Sequence, residues 1–499
     1  MEKIGYSYLI EHYGLTVLEQ PLKCFLGSGS TLIRESTPDG MEIHYPKRFG
    51  TDGTWQGHLL FAIKHEGADL EVLKAFFKVI GAGAMTRLIS SARHSIYIRR
   101  LWFFYEFLTG DELPVASLKT GNYGYVLPPD EYFCLDREKS PHAKRQRLIC
   151  NLPGNAVFCP IVRLSPCIQE YLQKNLKSKV SAAVAEYPAE LIYRASSFLY
   201  LKETKSSYAI ERQTPSQKRT AAFMNLLQDA GRSRLDKSLL LRLQNAIVET
   251  RYQEQDYRNS QVYVGQTLAP NRELIHFAGL KPDDLPSFMA AWLAAAGKLL
   301  DSSCDPVICA AVLSFSFVFF HPFEDGNGRL HRYLMHHILS AKGFNPENII
   351  FPVSALLYKN TRLYDSMLEN FSKRLMPLVK YRLADDGSMT VTNETADFYR
   401  FFDYTQIAEV FFGVVEETLK TELVPELDFL ARWERTRIRM RDIVDMPDRK
   451  AAQFILYVRQ NGGVFPGRRR DEFVELSDDE IVSLSRIIQE ELAPFAATM

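Results

Sequence analysis

What the chain lacks narrows it first. None of its seven cysteines forms a C-x-x-C pair, so neither a zinc ribbon nor a dithiol redox motif is spelled out. The odd count argues for reduced thiols in a cytoplasmic setting rather than a disulfide framework. There is no excess of either charge: Lys plus Arg and Asp plus Glu number 60 each, which removes bulk attraction to nucleic acid or an anionic membrane. No apolar run reaches the roughly 20 residues of a membrane span. The longest, Val307 to Phe320, is interrupted by Ser314 and Ser316 and reads as a buried helix. Met1-Glu2-Lys3-Ile4-Gly5 is not a basic stretch leading into an apolar one, so no secretory signal is expected. Fixed-period repeats and low-complexity tracts are also missing.

What is present is 499 residues, enough for two to four cores. Residues 1–194 alternate short mixed patterns with turn formers such as Gly27-Ser28-Gly29, Pro38-Asp39-Gly40 and Gly121-Asn122-Tyr123-Gly124. They read as an α/β domain with a helix near 84–109 and no legible role. Residues 195–382 read as helical, with helices over 195–210, 217–230 and 236–254, one after Pro286, the 307–320 run, and one from Gly328 to Ser340. Within them, 261–265 and 273–277 have the pattern of two hairpin strands. The polar, turn-rich stretch Asp385 to Thr395 reads as a boundary. Beyond it, 396–499 is expected to be a helical domain. Its 447–492 part, helix, Gly462–Arg470 connection and helix, is read as a winged-helix module whose Arg468, Arg469 and Arg470 are open to DNA contact. The chain as a whole is expected to be mainly α.

The chemistry concentrates in twelve residues, His321-Pro322-Phe323-Glu324-Asp325-Gly326-Asn327-Gly328-Arg329-Leu330-His331-Arg332. A polyphosphate held by a metal needs such parts. Gly326 and Gly328 let backbone N–H groups turn into one concavity without Cβ interference. Asp325 is a hard oxygen ligand suited to Mg²⁺. Asn327 lies between the glycines at the start of a helix, where orphan N–H groups and the dipole favour phosphate. Arg329 and Arg332, three apart, share a helical face and can clamp oxygens together. His321, at the end of the apolar helix, is suited to be a base near neutral pH. Phe323 is expected to pack under the loop, and Glu324 to point away from Asp325.

The pattern H-x-F-x-D-G-N-G-R-x-x-R resembles the signature of the Fic family, with eight fixed positions at about one in twenty each. That resemblance implies a Fic-type helical core with a β-hairpin flap, and transfer of AMP from ATP, with Mg²⁺, to a Tyr, Thr or Ser hydroxyl of a protein. It puts the base on His321, the metal on Asp325, and the phosphates on Gly326, Asn327, Gly328, Arg329 and Arg332. Relatives that transfer phosphate carry Lys where this chain has Gly328. The hairpin at 262–277 falls where the family has its flap, an edge that holds the target by strand addition. Tyr364 and Asn370 are expected at an adenine pocket, a core position for Tyr364 being the other reading.

Upstream, Ser207 and Glu211 are four apart in Lys205-Ser206-Ser207-Tyr208-Ala209-Ile210-Glu211-Arg212, hence on one face. This looks like the family's inhibitory motif on a helix at about 196–212, in which the glutamate pairs with the second arginine, here Arg332. The departure is Arg212, where the pattern has Gly or Asn. Two other readings stay open: removal of AMP from a modified protein by the same site, and a nucleotide sensor acting on a DNA-binding C-terminal module. Self-modification and a homodimer stay open as well. No membrane partner is expected.

Overall fold

The protein, seen as a computed structural model, is described over residues 2–37, 40–269, 272–346 and 349–492. The Pro38-Asp39 turn lies outside them. The chain is mainly helical, as expected, with small sheets set among the helices. Among the described residues no helix is long and apolar enough to cross a membrane.

The N-terminal part is mixed α/β. Strands β1 (Glu2–Lys3), β2 (Leu22–Leu26), β3 (Ile33–Thr37) and β4 (Gly40–Tyr45) form one sheet in the order β1-β2-β4-β3. Only the central β2–β4 pair is parallel, with Cys24 opposite Ile43, both buried. The helix expected over 84–109 is two. Leu70–Ala92, bent at Gly81, and Ile96–Thr109 are parted by Arg93, His94 and an extended Ser95. They pack on each other around Phe76, Phe77, Trp102 and Phe104.

The largest core is helical. Around α2 (Pro306–Phe320) pack α3 (Asn327–Ala341), α5 (Thr405–Thr418) and the helix Leu285–Leu300. Every residue of α2 from Val307 to Phe320 is buried, as a helix apolar on all sides requires. On the other side of α3 lies α1 (Ala189–Ile210), and α4 (Thr361–Leu375) completes the wall beside α5. The helix expected over 236–254 stops at Ile247, where Val248 is extended. The Ile247 carbonyl is taken by Tyr208 Oη at 2.9 Å and Arg329 Nη1 at 2.9 Å, so the helix end is spent on the site rather than on another turn.

Residues 385–395 are not a gap between cores. Tyr381–Leu383 and Met389–Val391 pair as a hairpin. Phe398, Tyr399, Phe402, Ile407 and Phe411 are buried in the same core as α2, and Tyr399 Oη donates to the Ala278 carbonyl at 2.7 Å. A separate, small core begins further on and gathers Met440, Phe454, Phe465, Phe473, Leu484 and Ile488. Its 447–492 part holds two helices, Asp448–Gln460 and Asp478–Leu492. The expected wing between them is turn and a 3₁₀ segment, Gly467–Phe473, with no strand. There Arg469 pairs with Glu472 at 2.6 Å and Arg470 with Asp478 at 3.2 Å.

Candidate active site

The site is built where α2 stops. His321 caps it in the left-handed region, φ 54 and ψ 61. Pro322 follows, and a residue before proline is disfavoured from continuing a right-handed helix. This turns the imidazole off the helix end, where its Nδ1 lies 3.1 Å from the Val318 carbonyl. A carbonyl can only accept, so Nδ1 carries the proton and Nε2 keeps its lone pair, an assignment made from the partner. Burial pushes the imidazole down to about 4, helped by the Arg258 charge and opposed by the Val318 bond and Asp325. His321 is therefore neutral at neutral pH. Its backbone is fixed by Arg258, whose Nε donates to the His321 carbonyl at 2.6 Å and whose N–H donates to the Pro322 carbonyl at 3.0 Å. Nothing in the sequence singles out this arginine, which stands alone in a polar stretch.

The loop then tightens on itself. Phe323 is fully buried. Asn327 Oδ1 accepts from the Phe323 N–H at 3.0 Å, and its Nδ2 donates to the Phe323 carbonyl at 2.6 Å. The Asn327 side chain thus pins the turn, and only its N–H remains for phosphate. Gly326, at φ 92, is the N-cap of α3, a conformation that glycine adopts at little cost. The N–H groups of Asn327, Gly328 and Arg329 fall in the first turn, where no intrahelical acceptor exists. Asp325 Oδ1 accepts from the Gly326 N–H and from Arg329 Nη2, each at 2.7 Å. Glu324 is turned to Ser260, whose hydroxyl donates to it at 2.8 Å.

Glu211 lies over this helix start. One of its oxygens is 2.7 Å from Arg332 Nη2 and the other 2.7 Å from Arg329 Nε. The first is an aligned hydrogen bond; the second is an ion contact only. Both arginine side chains are 1% exposed and the Glu211 side chain 23%. Arg332 also donates to Ser207, from Nε to the hydroxyl at 2.9 Å and from Nη2 to the carbonyl at 2.7 Å. So the pair expected between Glu211 and Arg332 forms, and Arg329 joins it. Gly328 makes room for it: a Cβ there would sit 2.5 Å from Glu211 Oε1.

The departure at Arg212 has a backbone meaning. Glu211 is the C-cap of α1, and Arg212 follows at φ 55. The Arg212 N–H reaches the Ala209 carbonyl at 2.9 Å and the Gln213 N–H reaches the Tyr208 carbonyl at 3.0 Å. These two bonds make a Schellman ending, whose left-handed position favours Gly or Asn. Arg212 holds that conformation with a Cβ in place.

Tyr364 is buried, its hydroxyl 3.1 Å from His331 Nδ1 and accepting from Arg332 Nη1 at 3.3 Å. It fixes the arginine and also borders the cleft. An open cleft of about 1770 Å³ brings together His321, Asp325, Gly328, Arg332, Glu211 and Tyr364. Asn370 lies elsewhere, bonded to Gln406 on a separate cavity floored by α4. The expected hairpin is present as β5 (Tyr263–Ala269) and β6 (Arg272–Ala278), antiparallel, with Val264 on the cleft wall. Among the described residues no cluster of three or more His, Cys, Asp or Glu could hold a metal alone. With Glu324 bonded to Ser260, Asp325 is the loop carboxylate beside the arginines, which suits Mg²⁺ arriving on a triphosphate that supplies the remaining oxygens.

Two buried arginines, Arg329 and Arg332, lie at a helix N-terminus beside a neutral histidine in a helical domain. Residues 234–339 match the Fic/DOC family model, and this region of the chain is a Fic/DOC family domain. A protein adenylyltransferase Fic from Drosophila willistoni is 35% identical over 97 residues, 19% of this chain and 17% of that protein. Its namesake from Culex quinquefasciatus is 36% identical over 94 residues, 18% and 16% of the two chains. The match therefore spans under a fifth of these relatives. Among solved structures, a Fic domain containing signaling protein from Bacteroides thetaiotaomicron aligns at TM-score 0.35 and 18% identity, over 52% of this chain and 94% of that one. A Fic family protein from Desulfovibrio desulfuricans aligns at TM-score 0.34 and 18% identity, over 64% and 84%.

Proposed function

We propose that this chain transfers AMP from ATP to a hydroxyl of a protein, and that Glu211 holds the site in an inhibited state. The observation that carries the reading is the Glu211 carboxylate bridging Arg329 and Arg332 across Gly328, at 2.7 Å to each. A carboxylate and a phosphate oxygen compete for the same guanidinium fork. Glu211 therefore stands where the far end of a triphosphate would be clamped.

The residues divide the work. His321 Nε2 takes the proton of the attacking hydroxyl. The N–H groups opening α3 face the charge that develops on phosphate. Arg332, steadied by Ser207 and Tyr364, holds the leaving end once Glu211 has moved. Arg329 is tied to Asp325 and the Ile247 carbonyl, so it shapes the loop more than it reaches out. Asp325 would hold Mg²⁺, which when bound neutralises the triphosphate. The β5–β6 hairpin offers its edge to the target segment. The described cysteines are all free, which supports a cytoplasmic setting.

The test is transfer of label from α-³²P-ATP with Mg²⁺ to proteins of a lysate. It compares the native chain, Glu211→Gly, and Glu211→Gly with His321→Ala. Strong labelling by the single variant alone is the expected result, and label on the chain itself would register self-modification. No labelling by any form, with ATP still bound, would overturn the transfer reading. Loss of label from a pre-modified protein would then favour the reverse reaction.

A further inference from the structure

His321 stands between two adjoining cavities, whose linings share Val264, Val318, Asp365 and Leu368. On one side is the cleft with the arginines and the loop. On the other is a pocket of about 380 Å³ between β6, the end of α2 and α4. Its walls are Val264, Phe277, Val318, Phe319 and Leu368, and His321 borders it directly. The Phe277 ring lies 6.1 Å from the imidazole, tilted by 53°, and 6.5 Å from Phe319. Its polar lining is His276, Asp365, Ser372 and the pair Glu369 and Lys373, which lie 2.7 Å apart. Of these walls, Phe277 and Phe319 belong to this pocket and not to the cleft, and they are an aromatic lining that phosphates do not need.

The acceptor hydroxyl must arrive at Nε2 from the side away from the phosphates. A serine or threonine hydroxyl is one carbon from its backbone. Bringing it to the histidine would either leave the apolar wall unfilled or draw peptide groups against it with no partners. A tyrosine ring fills such walls and carries its hydroxyl at the far end. We propose that this pocket seats the ring of a tyrosine of the acceptor protein, so that the group adenylylated is a phenol. The proposal rests on the transfer reading and narrows its substrate. The phenolic oxygen bonds to the α-phosphorus, the bond from that phosphorus to the β-bridging oxygen breaks, pyrophosphate leaves, and the phenolic proton passes to His321 Nε2. The base agrees with this choice: an imidazole held down to about 4 takes a proton from a phenol, ordinarily near about 10, more readily than from an aliphatic hydroxyl, which is the weaker acid.

The test uses the full chain carrying Glu211→Gly, with ATP and Mg²⁺, and N-acetyl-tyrosinamide, N-acetyl-threoninamide or N-acetyl-serinamide as acceptor. Alongside, the modified residue on labelled lysate proteins is located by mass spectrometry. The expected result is AMP on tyrosine, with kcat/KM about a hundredfold higher for the tyrosine amide, the scale on which a pocket separates side chains of different size and shape. Phe277→Ala, in the same background, should raise KM for that acceptor at least tenfold or so with ATP affinity kept, and Phe277→Leu should restore most of the loss. Equal use of the three amides, or lysate proteins carrying AMP on serine or threonine, would overturn the pocket's assignment and leave adenylyl transfer standing. No transfer to any acceptor would remove the parent reading, and the proposal with it.

Discussion

Replacing Glu211 should make the empty protein less stable and its nucleotide complex tighter, two effects of opposite sign from one carboxylate. Its two contacts, 2.7 Å each, go to guanidiniums only 1% exposed. Breaking a buried ion pair by removing one partner costs about 3–5 kcal/mol, because a charge is left uncompensated. Here the loss is softened. Arg329 keeps Asp325 at 2.7 Å and the Ile247 carbonyl at 2.9 Å, and Arg332 keeps Ser207 at 2.9 Å. A net cost of about 2–3 kcal/mol follows for Glu211→Gln, which keeps the side-chain volume. On the proposed reading, the same carboxylate is displaced before phosphate takes the fork. A hydrogen bond to a charged group is worth about 1.5–3 kcal/mol, so removing this competitor should tighten ATP binding by about 10- to 100-fold. Urea unfolding with equal m-values would read the first effect, and titration calorimetry with Mg²⁺ the second. If Glu211→Gln left ATP affinity unchanged, or stabilised the empty protein, the carboxylate would not be competing with phosphate.

Other consequences follow from single groups. With His321 held down to about 4 by burial, transfer by Glu211→Gly should stay level from pH 8 to pH 6 and fall only as pH approaches 4; a fall centred near about 6.5, the ordinary value, would refute the burial argument. His337 is likewise pushed down to about 4 by burial, and its Nδ1 accepts from the Gly231 N–H at 3.1 Å. Its folded-state value lies below the unfolded one, so its contribution is present above about 6.5 and is lost as pH falls toward 4; His337→Gln should flatten the unfolding midpoint across that window. Arg212→Asn should stabilise the end of α1 by about 0.5–1 kcal/mol, since it relieves a left-handed backbone, and should lower basal transfer by the otherwise native chain. Gly328→Ala places a Cβ 2.5 Å from Glu211 Oε1, so it should break the inhibitory pair without the gain in labelling that Glu211→Gly gives.

Much of the site was legible because its residues are local. His321 through Arg332 lie on one loop and one helix start, where spacing alone fixes which groups face together. Glu211 was legible for a related reason: Ser207 and Glu211 share a helical face, and Ser207, Glu211 and Arg332 meet as the resemblance implied. What escaped is made by distant partners. Arg258 reaches the His321 carbonyl across 63 residues of sequence, and a lone arginine in a polar stretch carries no period or motif. The expected break at 385–395 failed because a polar, turn-rich stretch reads alike as a linker and as a hairpin. Only burial of Phe398 and Tyr399 beside α2 separates the two. The N-terminal sheet pairs β2 with β4 across the intervening β3, an order no local pattern records.

The geometry of α1, the helix proposed to inhibit, also says where its hold is weakest. Along α1, Ser207 is fully buried, and Glu203, one turn earlier, is locked to His336 Nε2 at 2.7 Å and to the Ser354 N–H at 2.9 Å. Glu211, one turn later, is the partly exposed member of this row, at 23%. The residue after it holds a left-handed backbone at φ 55. Strain of that kind costs about 1–2 kcal/mol and is stored at the same end of the helix as the carboxylate. Opening the last turn therefore releases strain, whereas withdrawing the whole helix would expose Glu203 and break its bonds. Release of Arg332 to a phosphate requires only the first of these. The bonds at Glu203 and Ser207 would keep the helix in place while its final turn gives way, so the proposed inhibition and its relief would both be local to Tyr208–Gln213.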